Sequence, residues 1–211
     1  MVNKRHLIVA LFLSSTTITY AQVDPKAKVI LDDLSAKTKS YTTIKADFTF
    51  TNEKKDKTKE MQKGKIEIKG TKYRLEIPGH EIYCDGKTIW DFIKDANEVQ
   101  MKEMETKEGA INPATIFTLY EKGYKYKLDS EDANTQTISL FPINADKEKF
   151  HTVKLVINKV KKQIEGIKLL MKDGTSQSYI ISSFVANNPM PDDYFTFNEK
   201  AHKGVSVEDL R

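Results

Sequence analysis

The chain has 211 residues and 24.1 kDa, 34 Lys and Arg against 30 Asp and Glu, 39% hydrophobic residues and a mean hydropathy of -0.53, the composition of one soluble globular domain. No apolar run approaches the roughly 18–20 residues that a membrane-spanning helix needs. Arginine occurs only at Arg5, Arg74 and Arg211, and the lysines interleave with acids in stretches such as Glu53-Lys54-Lys55-Asp56-Lys57; that is a solvated surface, not the clustered, arginine-rich face of a nucleic-acid binder.

The first 21 residues follow different rules from the rest. Lys4 and Arg5 precede the apolar run from Leu7 to Leu13, and small and hydroxylated residues lead to Thr19-Tyr20-Ala21. This is the pattern of a secretory signal peptide over 1–21, cut after Ala21, with one domain expected over 22–211. The next residue is Gln22 and not Cys, so no lipid anchor of its own is expected. Cys84 is the single cysteine, which excludes an intramolecular disulfide framework and leaves stability to an ordinary core.

Asp24-Pro25 opens the first predicted helix, an N-cap residue followed by proline where its missing N–H costs nothing. Ala27, Ile30, Leu31 and Leu34 fall at i, i+3, i+4 and i+7 and form one apolar stripe. After Ser40 the period becomes two, with Ile44, Ala46, Phe48 and Phe50 alternating with polar residues, as in a half-buried strand. A charged loop is expected over 52–63. Turn residues at Gly70, Pro78-Gly79, Asp85-Gly86 and Asp95-Ala96-Asn97 then punctuate short alternating segments, the mark of an antiparallel meander. Read as a two-residue hairpin, Asp85-Gly86 pairs Cys84 with Lys87, Tyr83 with Thr88 and Ile82 with Ile89. Tyr83, Trp90 and Phe92 then share one face, and Ile82, Ile89 and Ile93 the other.

Asn112-Pro113 repeats the cap-and-proline signal, so a short apolar helix carrying Ile116, Phe117, Leu119 and Tyr120 is predicted up to Gly123. Further strands are predicted at 124–128, 135–141, 151–157, 163–171 and 176–186, with Asp173-Gly174 as another hairpin turn. About eleven strands and two or three helices, too few and badly placed for alternating parallel units, describe a large twisted antiparallel sheet with helices against one side.

Chemistry-bearing motifs are weak. Gly86-Lys87-Thr88 ends like a phosphate loop, but Glu81 stands where its leading glycine belongs and the following residues read as strand, not helix. His80, His151 and His202 lack paired ligand spacing. No G-x-S-x-G elbow occurs, Cys84 has no base beside it, and the carboxylates are placed like solubilising charges. No enzyme activity, cofactor or metal is therefore expected. What remains is an apolar inventory, Phe48, Phe50, Tyr73, Leu75, Tyr83, Trp90 and Phe92, which suits either a closed core or a ligand cavity.

Over nearly its whole mature length the chain resembles the periplasmic outer-membrane lipoprotein carrier family, LolA. The resemblance runs from the first helix into the strand Tyr41 to Phe50. It continues through Ile82-Tyr83-Cys84-Asp85-Gly86-Lys87-Thr88-Ile89-Trp90 and ends in Phe195-Thr196-Phe197-Asn198 and Lys203-Gly204-Val205-Ser206-Val207-Glu208-Asp209. It implies a mainly β fold, an open antiparallel half-barrel of about eleven strands with a helical lid over the concave apolar face. Phe48, Phe50, Tyr73, Leu75, Tyr83, Trp90 and Phe92 would form the acyl-chain cavity, and Ile30, Leu31, Leu34, Ile116, Phe117 and Leu119 the lid. The implied function is a monomeric carrier that takes triacylated lipoproteins from an inner-membrane ABC-type lipoprotein-releasing transporter to the outer membrane, whose acceptor the sequence does not name. The alternative is an exported lipid-binding or lipid-sensing domain of the same architecture. Better-known members carry an Arg-Pro pair whose arginine latches the lid, whereas this chain reads Lys69-Gly70-Thr71-Lys72 there. Arg74 is expected to face outward and closure to rest on apolar contacts.

Overall fold

The computed structural model describes residues 24–104 and 113–211; the expected leader with its cut after Ala21, and the cap residue Asn112, lie outside the described residues. Helix α1 (Pro25–Lys39) starts where the sequence places it. The Asp24 carboxylate accepts from the Lys26 and Ala27 N–H groups at 3.0 and 3.2 Å, which satisfies donors that a helix start leaves orphaned. Ala27, Leu31 and Leu34 are buried. Removing each leucine from water contributes roughly 1.5–3 kcal/mol, so this stripe and not helix propensity holds α1 in place.

Among the described residues twelve strands follow: β1 (Ile44–Glu53), β2 (Lys59–Lys69), β3 (Lys72–Ile77), β4 (His80–Cys84), β5 (Thr88–Ile93), β6 (Glu98–Glu103), β7 (Tyr124–Glu131), β8 (Thr135–Pro142), β9 (Phe150–Asn158), β10 (Gln163–Met171), β11 (Ser176–Ala186) and β12 (Ser206–Asp209). They form one sheet in the order β12-β6-β5-β4-β3-β2-β1-β11-β10-β9-β8-β7. Its ends do not meet, so the half-barrel is unclosed. Neighbouring strands pair antiparallel throughout, by hairpins except where β1 meets β11, and only β12 is parallel, returning beside β6 with Val207 opposite Val99.

The concave face carries the main core. Ile44, Ala46 and Phe48 of β1 stand beside Ile66 and Ile68 of β2, Tyr73 of β3, and the buried stripes of β8, β9 and β10, all joined to α1. Where Asp47/Phe48 of β1 meets Ser183/Ile181 of β11 the register slips by one residue. A bulge of this kind lets Ile181 and Phe184 both reach the concave core, although odd spacing in a regular strand would set them on opposite faces.

Several expectations change. The Asp85-Gly86 turn is wider than a two-residue hairpin: Cys84 pairs with Ile89, Tyr83 with Trp90 and Ile82 with Asp91. The Asp85 carboxylate accepts from the N–H groups of Lys87 and Thr88, both at 2.8 Å, and so stabilises a four-residue loop. Because the register moves by two residues, no side chain changes face. The charged stretch 52–63 is mostly strand, with β1 and β2 paired as far as Glu53 and Lys59. The second helix is not an α-helix. Pro113–Thr115 and Leu119–Glu121 are single 3-10 turns; a bond from the Thr118 N–H to the Thr115 carbonyl (2.9 Å) follows the first, and one from the Glu121 N–H to the Thr118 carbonyl (3.1 Å) closes the second. The run Thr115-Ile116-Phe117-Thr118 disfavours α-helix through its β-branched and aromatic side chains, and buried Phe117 with half-buried Ile116 holds it against the sheet.

Candidate functional site

An apolar cavity of about 230 Å³ lies between the sheet and the 113–121 segment, with Phe48, Ile66, Leu75, Ile167, Tyr179 and Ile181 from the strands and Ile116 and Phe117 from above. Among the described residues, Gln177 and the Tyr179 phenol are the polar groups in its wall, and none of the lining residues is charged. Phe117 is 4% exposed and meets Phe184 edge-on at 5.7 Å between ring centroids. Tyr179 touches both Phe48 (6.0 Å) and Phe50 (5.0 Å), and burial pushes its phenol upward. Gly64 faces Phe48 across the β1–β2 pair, and a Cβ there would collide with the ring. Glycine at this position is what lets Phe48 lie flat in the wall.

Among the described residues two pieces cover the concave face. Helix α1 lies towards the end bearing the β7–β8 and β9–β10 turns. There Asp24 accepts from the Leu128 N–H at 2.9 Å, Lys26 pairs with Glu131 at 2.6 Å, and Lys162 with Asp33 at 2.7 Å. Its apolar stripe fills that end of the half-barrel, and the cavity occupies the remainder under Ile116 and Phe117. The two pieces join through Glu121, which accepts from Ser35 at 2.6 Å and pairs with Lys39 at 3.0 Å. Apolar closure is thus supplemented by ion pairs at the margins, most of them solvent-exposed and individually weak.

The sequence-derived cavity set divides. Phe48 and Leu75 line the cavity, Phe50 packs behind Tyr179, and Tyr73 is buried in the adjoining core opposite Ile68 and Cys84. Tyr83, Trp90 and Phe92 are on the other face, in a second cluster with Val99 and Phe197. This corrects their placement. Tyr83 stands opposite Arg74 and Trp90, so all three aromatics share the arginine's outward side, and alternation alone does not say which of two apolar faces is concave. Of the expected lid residues, Ile116 and Phe117 reach the cavity, while Ile30, Leu31, Leu34 and Leu119 pack on the main core. Ile66, Ile167, Tyr179 and Ile181 were not singled out from sequence, although the alternation of Gln177, Tyr179 and Ile181 along β11 is visible there.

The convex face explains where the lysines at the family's latch position go. Residues 188–205 cross this face as a strap. Lys69 donates to the Met190 carbonyl at 2.8 Å, and Lys69 and Lys72 both pair with Asp192 at 2.8 Å, holding its carboxyl down at about 2. Arg74 is sandwiched between the rings of Tyr83 (4.9 Å) and Tyr194 (5.0 Å) and bonds to Glu81 at 3.0 Å. Burial pushes Glu81 up, but hydrogen bonds from Tyr83, Lys94 and Arg74 outweigh it and bring its carboxyl to about 2. Neither the lysines nor Arg74 reach the lid, which lies on the opposite side of the sheet. A further depression of about 880 Å³ within the 193–205 loop also belongs to this outer side.

An open sheet curved around an apolar cavity, with a helix and a short segment across it, defines a lipid- or lipoprotein-binding fold. A family model described as outer membrane lipoprotein carrier protein LolA matches residues 17–174, and the chain belongs to that family. Comparison with curated proteins gives no match. An uncharacterized conserved protein from Thermus thermophilus has the same fold, with 13% identity over 87% of this chain and 99% of that one and a TM-score of 0.58. Also similar are the lipoprotein LppX of Mycobacterium tuberculosis (12% identity, 81% of this chain and 100% of that one, TM-score 0.49) and a LolA superfamily protein from Nitrosomonas europaea (13%, 81% and 97%, TM-score 0.45).

Proposed function

We propose that the protein is a periplasmic carrier that takes the acyl chains of triacylated lipoproteins into the cavity and shuttles them from an inner-membrane ABC-type releasing transporter to an acceptor at the outer membrane. The observation that carries this reading is the cavity, lined by apolar side chains among the described residues, beneath a cover that is not a continuous part of the sheet. At about 230 Å³ it is smaller than the roughly 300–1,000 Å³ of ordinary ligand sites, so the described state is closed and the cover must shift for loading.

Each acyl methylene removed from water contributes about 0.8 kcal/mol, so one sixteen-carbon chain supplies on the order of 10 kcal/mol, against which the apolar contacts of Ile116 and Phe117 compete. Loading and release then exchange one apolar occupant for another, with no covalent chemistry in the carrier. Mixing the purified protein with a triacylated lipoprotein in detergent and then removing the detergent should leave a soluble one-to-one complex. Aggregation of the lipoprotein with the protein left free, while palmitate alone still binds, would instead favour a lipid-binding domain that does not carry lipoproteins.

A further inference from the structure

Strand β2 is longer than the neighbour it shares with the rest of the meander. β1 pairs with it all the way to Lys59, but β3 pairs only between Lys65 and Lys69, so the flank of Lys59–Gly64 away from β1 has no strand partner among the described residues. The two-residue turn after Lys69, with Gly70 at φ +60°, makes Lys69 and Lys72 a pair that exchanges both backbone bonds. Direction alternates along a strand. Lys59, Met61 and Lys63 therefore aim their N–H and C=O groups the same way as Lys69, into the space beyond the end of β3.

That space is a notch of about 640 Å³ floored by Pro78-Gly79 and bordered by Lys63, Lys65 and Lys94 together with Asp47 and Glu76, and Phe48 lines it as well. The same residue lines the apolar cavity, so the two spaces adjoin at Phe48, and the unpaired backbone groups of β2 border the notch.

We propose that this edge receives the extended polypeptide segment that follows the acylated residue of the cargo, added to β2 as an extra strand while the acyl chains occupy the cavity. The inference rests on the carrier reading. Unpaired strand edges are templates for strand addition, and six residues at about 3.3 Å each give a seat of roughly 20 Å. Lys63 has no ion-pair partner among the described residues, and Lys59 is paired only loosely, at 3.7 Å to Glu53. These positive charges oppose pairing with a second copy of the same edge and favour an acidic strand.

Calorimetric titration of the full chain with two probes tests this: N-palmitoyl serine amide, and an N-palmitoyl hexapeptide containing two aspartates. The peptide-bearing probe should bind about tenfold tighter, and amide exchange at Met61 and Lys63 should slow with it but not with the short probe. N-methylation of alternate peptide bonds should abolish the gain in one parity and spare it in the other. Equal affinities with unchanged exchange at both amides would overturn the strand addition and leave the carrier reading standing. No binding of either probe would overturn both. Concentration-dependent protection of Met61 and Lys63 without any probe would assign the edge to a second copy and overturn the proposal.

Discussion

Phe48 and Trp90 are both large aromatics on alternating strands, yet they face opposite sides of the sheet, and this difference is open to direct test. A carboxylate at Phe48 enters the cavity wall, where a charge without a partner is costly. Phe48→Glu should lower stability by on the order of 3 kcal/mol and weaken palmitate binding more than tenfold. Trp90 instead packs on the strap side with Tyr83, Phe92 and Phe197. Trp90→Glu should leave palmitate affinity within about twofold and shift only the unfolding midpoint; equal loss of binding in both variants would contradict the assignment of faces.

At the scale of elements, the cover and the sheet are joined in two ways that respond differently to substitution. Leu34 is 1% exposed and Phe117 4%; truncating either to alanine removes buried area at a cost of roughly 2–5 kcal/mol. Leu34→Ala should loosen α1 and Phe117→Ala should enlarge the cavity, and both should raise the fluorescence of an apolar dye added to the empty protein. Arg74→Leu removes a strap contact on the far side of the sheet and should leave dye binding and lipoprotein release almost unchanged. Trapping of lipoprotein by Arg74→Leu, with silent lid truncations, would mean that the arginine acts as a latch through the sheet.

Across the whole molecule, β2 and β3 serve both faces at once, since Ile66, Ile68, Tyr73 and Leu75 face the core or cavity while Glu67 and Arg74 between them hold the strap. Glu67 is 4% exposed and accepts from the Tyr194 hydroxyl; burial raises its carboxyl, but the bonds from Tyr194 and Lys65 bring it down on balance. Glu81 titrates at about 2 in place of its ordinary 4.5. A depressed folded value means that its contribution is complete above pH 4.5 and is lost as pH falls towards about 2. That difference corresponds to about 3 kcal/mol at most. Glu81→Gln should accordingly lower stability near neutral pH by about 1–3 kcal/mol and flatten the loss between pH 4.5 and 2 in denaturant titrations; an unchanged acid profile would place the acid-sensitive group elsewhere.

Much of this architecture is determined by local sequence. The Asp24-Pro25 cap, the stripe of α1 and the strand spans 163–171 and 176–186 follow from capping chemistry and periodicity, because each depends on neighbours a few residues away. Which of two apolar faces curves inward does not. Tyr83, Trp90 and Phe92 read as well for a cavity as Ile82, Cys84 and Ile89, and the choice was made by the strap, whose Phe197 is more than a hundred residues distant in sequence from Tyr83 and Phe92. The β1–β11 bulge and the 3-10 form of the 113–121 segment are likewise decided by tertiary structure, because apolar side chains in both are buried against strands distant in sequence. The Asp85 loop instead follows from local bonds of its own carboxylate to the N–H groups of Lys87 and Thr88.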